Sequence, residues 1–222
     1  MKKILILLLT ITFSLNVIAQ EKVLEGVLVS KQTFKSDNEQ MNAQLAMLGE
    51  ITSTTYFKGG KSRVDISNPM SGETTVIIDS DKQEMIMMLN NPMIGKKYVS
   101  QSIKLSDEDL KKITVTPKDE TKEVMGYNCK RYDVATTKDG ITMNMIIYTT
   151  DKIEAPSQQN ASFGDKLKGF PLYIEMKVNQ MGTEMVIITE VTEFKKEKVD
   201  ESMFDTTVPE GYEKVDKIPG MN

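Results

Sequence analysis

The sequence predicts a mainly β protein: one antiparallel sheet, curved into a barrel or an open half-barrel, with two or three short helices. Three observations predict it. Turn residues stand between pairs of β-rich runs at Gly59-Gly60, Asp79-Ser80-Asp81-Lys82, Asp139-Gly140 and Gln180-Met181-Gly182, each a hairpin signal. The run from Leu172 to Val178 alternates cleanly, with Leu172, Ile174, Met176 and Val178 on one side and Tyr173, Glu175, Lys177 and Asn179 towards water. No repeat of solenoid period is visible.

Taken in order, residues 1–19 read as a secretory signal peptide. Lys2 and Lys3 are the positive start, Ile4 to Leu15 the apolar stretch, and Val17-Ile18-Ala19 the cleavage junction. The expected domain is therefore 20–222, a single β-rich unit. Val23 to Phe34 is a strand. Asn38 to Leu48 is a helix, with Met41, Leu45 and Leu48 at helical spacing and Gly49 closing it. Strands follow at Ile51 to Lys58, Lys61 to Ile66, Thr74 to Ile78, Glu84 to Leu89 and Lys97 to Ser102. Ser106 caps a short helix whose first turn carries Asp107, Glu108 and Asp109. Ile113 to Thr116 is β-like, and Lys118 to Glu123 is expected to be a solvated connector. Asn128 to Thr136, Thr142 to Thr149, Leu172 to Val178 and Glu184 to Phe194 complete nine or ten strands, and Ser157 to Gly169 is a loop or short helix.

Composition excludes several functions. Removing residues 1–19 takes away two lysines and no acid, so 26 cationic side chains face 32 acidic ones and the net charge goes from −4 to −6. That argues against nucleic acid as a partner and against electrostatic docking on anionic membranes. No later apolar run reaches membrane-spanning length. There is no histidine, which removes the usual general base, metal ligand and triad partner together. Asp79-Ser80-Asp81 and Asp107-Glu108-Asp109 lack the spaced ligands of a calcium loop. No catalytic motif, metal site or cofactor is expected. The lone cysteine, Cys129, forms no internal disulfide, and its place in a strand predicts a buried thiol.

Methionine is abundant, 16 in all, and it clusters on strands. Methionine makes adaptable apolar surfaces. The strand from Glu84 is apolar on both faces, with Met85, Met87 and Leu89 on one and Ile86 and Met88 on the other, so both faces must be covered. One cover is the core; the other is a helix or a bound apolar ligand. Alternation nominates Met85, Met87, Leu89, Met143, Met145, Leu172, Ile174, Met176, Val178 and Met185 as the lining of an apolar cavity. An ordinary methionine-rich core gives the same pattern.

Three stretches carry a resemblance: Ile77-Ile78-Asp79 through Leu89 with Lys97-Tyr98; Val124-Met125-Gly126-Tyr127-Asn128-Cys129-Lys130-Arg131-Tyr132; and Met203-Phe204 through Val208-Pro209-Glu210-Gly211-Tyr212. They are similar to a family of secreted bacterial proteins classed as a domain of unknown function. That family in turn resembles the periplasmic lipoprotein carriers of the LolA and LolB type. The resemblance implies an unclosed barrel with helices on its concave side, and an apolar cavity for acyl chains. The expected function is a periplasmic or secreted, non-catalytic carrier whose partner is an apolar ligand, a lipid or acyl chain. The alternative is an envelope domain with a packed core and no ligand, which binds a protein partner. A third reading is a hydrolase using a Ser-Lys or carboxylate pair.

Overall fold

A computed structural model describes residues 21–68, 72–138, 141–180 and 183–218. The signal peptide expected at 1–19 and the turn residues Asp139-Gly140 and Met181-Gly182 lie outside them. Among the described residues twelve strands form one sheet: β1 (Glu25–Ser36), β2 (Ile51–Lys58), β3 (Lys61–Asn68), β4 (Gly72–Asp79), β5 (Glu84–Asn91), β6 (Gly95–Ser102), β7 (Ile113–Val124), β8 (Tyr127–Lys138), β9 (Ile141–Thr150), β10 (Phe170–Gln180), β11 (Thr183–Lys195) and β12 (Glu213–Lys214). Their order is β12-β6-β5-β4-β3-β2-β1-β11-β10-β9-β8-β7. The sheet is curved and unclosed, with β12 and β7 as its edges. Among the described residues every ladder between these strands is antiparallel except β12 on β6, and an isolated parallel bridge joins Val23 to Ile153.

Among the described residues three short α-helices punctuate the sheet. α1 (Glu39–Leu48) begins at Asn38, whose side chain accepts from the Met41 amide, and ends at Gly49. α2 (Asp107–Lys111) carries a full capping box between Ser106 and Asp109. α3 (Gln158–Phe163) is capped by Ser157 and runs into a 3₁₀ turn at Gly164–Lys166. The Asn160 amide donates to the Leu167 and Gly169 carbonyls, which fastens this turn to the start of β10.

Among the described residues three packed clusters hold the sheet together. Leu28, Phe57, Phe170, Leu172 and Val191 form the central one, with Val124, Tyr127 and Cys129 of the β7–β8 hairpin. Ile113, Val134 and Ile147 pack under Phe163 of α3 and Leu167. Burying each such side chain contributes about 1.5–3 kcal/mol. The third cluster answers the two-sided strand β5. Ile77, Ile86 and Met88 are covered by Val208 and Tyr212, so the second cover is the C-terminal segment rather than a helix or a ligand. That segment crosses by a 3₁₀ turn at Glu201–Phe204, is tied by Lys61 to Glu201, and ends as β12 along β6, where Lys97 pairs with Glu213.

Two expectations are corrected. The charged stretch 118–123 is not a connector but part of β7, paired with β8 from Thr121 to Val124 after an irregularity. An edge strand presents side chains to water on most of its length, so its charges imitate a loop. The face of β10 carrying Tyr173 is not simply solvated either. Lys122 lies 3.2 Å from the Tyr173 ring centroid, and Tyr173 is half-buried against the central cluster.

Candidate functional site

Residues directly opposite in a ladder share a face of the sheet. Following the registers outward from β1 gives two apolar rows. One runs Leu28–Thr55–Val64–Val76–Met87–Val99 across β1, β2, β3, β4, β5 and β6. The other runs Phe34–Ile187–Met176–Met145–Val134–Val115 across β1, β11, β10, β9, β8 and β7. Leu28 and Phe34 are six residues apart in β1, so both rows lie on one face. This face spans the whole sheet.

All ten nominated residues fall on it. Met87, Met145 and Met176 sit in the rows. Met85 is opposite Ile78, Leu89 opposite Thr74, and Met143 opposite Thr136. Met185 stands between Ser36 and Val178. Leu172 and Ile174 continue the alternation of β10 and line a cavity. Their burial differs. Leu172 and Leu89 are buried, whereas Met85, Met87, Met143, Met145, Ile174, Met176, Val178 and Met185 are half-buried. Six of these, Met85, Met87, Met143, Met176, Val178 and Met185, belong to none of the three packed clusters. Of the ten, Leu172 and Ile174 line the cavity described next and Met145 lies at a second depression; β5 and β9 are seven strand steps apart, about 34 Å along the sheet.

The cavity holds about 100 Å³ and sits where the two halves of this face meet. Its wall comes from five neighbouring strands. β1 gives Leu28 and Ser30, β2 gives Ser53 and Thr55, β3 gives Val64, β11 gives Thr189 and Val191, and β10 gives Phe170 to Leu172 and Ile174; Ser157, Gln158 and Gln159 close it from α3. Pockets for small ligands are usually about 300–1,000 Å³, so this one takes only part of a ligand. Sequence reasoning missed Phe34, Ile187 and the polar wall. The alternation Met185, Ile187, Thr189, Val191 carried the signal for β11; the meeting of β1 with β11 needed the fold.

A second, open depression of about 320 Å³ includes Thr114, Thr116, Arg131, Asp133, Glu175 and Lys177. Its charges are already spent on one another. Arg131 donates to Asp133 at 2.7 Å and also to Glu120, which holds the guanidinium protonated. Glu175 accepts from the Tyr173 hydroxyl, and Lys177 pairs with Glu184 at 3.3 Å. Cys129 has no exposed surface, and burial pushes its thiol up to about 11. Asp79 is buried and accepts from the Asp81 and Lys82 amides, so its carboxylate shapes the β4–β5 turn. Among the described residues no three His, Cys, Asp or Glu side chains come together as a metal-holding group.

No family model matches the chain. No curated protein matches it by sequence. Among solved structures it is similar to PNGF-II, with a TM-score of 0.49 and 16% identity over 86% of this chain. The match spans 31% of that protein's chain.

Proposed function

We propose that this protein is a non-catalytic carrier, exported by its signal peptide, that binds a lipid-like ligand through its acyl chain. The observation that carries the reading is the row Phe34–Ile187–Met176 with the half-buried Met143, Val178 and Met185 beside it, which no packed cluster absorbs; Met145 continues the row onto the second cluster. An acyl chain needs a dry apolar track and few polar contacts, since each buried methylene contributes about 0.8 kcal/mol. Methionine suits such a track because its unbranched side chain adapts to a flexible guest. The LolA-like resemblance of the sequence supports the same reading.

Native mass spectrometry of the purified protein tests it. A co-purifying or added acyl lipid should remain bound, and Met176→Glu or Ile187→Glu should release it while the protein stays folded. Lipid-free protein that takes up no acyl ligand would overturn the carrier reading and favour an envelope domain that binds a protein partner.

A further inference from the structure

We propose that the small cavity is a head-group site for an uncharged, hydrogen-bonding group, which makes the ligand a neutral amphiphile of the acylglycerol class; this rests on the carrier reading above. The wall contains no charged residue. It is nevertheless polar on one side. Ser30 of β1 stands opposite Ser53 of β2, with Thr55 two residues further along β2 and Thr189 two residues from Val191 on β11. None of these four hydroxyls takes part in the hydrogen bonds that hold the described residues together. Ser157, Gln158 and Gln159 add uncharged polar groups at the α3 end and the rest of the wall is apolar, so an ester or glycerol group entering from water would regain hydrogen bonds there.

A charged head would not. Burying a carboxylate where no counter-ion lines the wall costs far more than burying a neutral ester or hydroxyl. A space of about 100 Å³ has room for a head of a few heavy atoms and not for a long chain. The chain has a track of its own. From Thr189 to Ile187 on β11 and from Ile174 to Met176 on β10 is two residues each, about 7 Å, and Ile187 and Met176 are paired neighbours. The head in the cavity therefore places the chain on the apolar row.

Calorimetric titration of the intact protein with 1-monolauroylglycerol and with laurate at neutral pH separates the possibilities. The ester should bind roughly tenfold more tightly than the carboxylate. The double variant Ser30→Ala, Thr189→Val removes two hydroxyls at nearly constant volume. It should weaken the ester roughly five- to tenfold and leave laurate unchanged, at an unaltered melting temperature. Laurate binding as tightly as the ester, or an ester affinity indifferent to the double variant, would overturn the head-group site and leave the carrier reading standing. If neither compound binds, both readings fall.

Discussion

Cys129 is the most enclosed polar-capable side chain of the central cluster, and its chemistry follows from that. Its Sγ donates only a weak 3.5 Å bond to the Tyr127 carbonyl. Burial lifts its pKa from 9.0 to about 11, against the smaller opposing pulls of a Val124 backbone hydrogen bond and the Lys122 charge. The native thiol should therefore resist a disulfide-exchange reagent at pH 8 and react at once in denaturant; a thiol titration reads the difference. The unfolded thiol ionises near its ordinary value and the folded one two units higher, so the stabilisation is complete below pH 9 and is lost as pH rises to about 11. Urea unfolding from pH 7 to 11 should show a loss of about 2–3 kcal/mol that Cys129→Ala flattens. Burial of this residue was legible from strand alternation. The demands on Gly72 were not. Its φ is +83°, and a Cβ there would stand 2.1 Å from the Asn90 carbonyl oxygen. Gly72→Ala should cost about 2 kcal/mol or more, measured by the same unfolding curves.

Among the elements, the hairpins around Gly59-Gly60 and the Asp79 turn were readable because two glycines, or an aspartate that accepts from the next amides, decide a turn locally. β7 was not readable, because a strand at the sheet edge pairs on one side only and tolerates Lys118, Asp119, Glu120, Lys122 and Glu123. Charged side chains along an unpaired sheet edge discourage a second chain from adding to the ladder. Replacing Lys118, Glu120 and Lys122 with Val should make the protein associate as concentration rises, seen by light scattering, while the wild type stays at constant size. The helix caps were legible from Ser106 with its acids and Asn38 before Met41. Ser106→Ala should cost about 1 kcal/mol in thermal or urea unfolding, since it removes a cap and half of a capping box.

The whole molecule depends on long-range contacts that pattern alone does not announce. The expected half-barrel class holds, with its sheet curved and unclosed. The C-terminal segment lying over Ile77, Ile86 and Met88, and β12 extending the sheet beyond β6, join residues more than a hundred positions apart. The alternation of β5 announced that a second cover exists but not which segment supplies it. Phe204 is buried within that segment. Phe204→Ala should cost about 3–5 kcal/mol and expose the apolar side of β4 and β5, which binding of a hydrophobic dye would report. The same limit applied to the candidate site. Each apolar track could be read strand by strand, but the cavity arises where β1 meets β11, a pairing no local signal fixes.

That pairing has a kinetic consequence. Val27 of β1 is matched to Lys195 of β11, and the ladder continues to Ser36 with Met185. The strands from β2 to β6 and from β7 to β11 are each built from neighbours in sequence and can zip as two separate meanders. The seam between them waits until nearly the entire chain has been made. A chain synthesised from its N-terminus must hold β1 with one edge unsatisfied throughout, and closing so long a loop comes late and slowly. The sheet's central joint should thus form only after both meanders are in place.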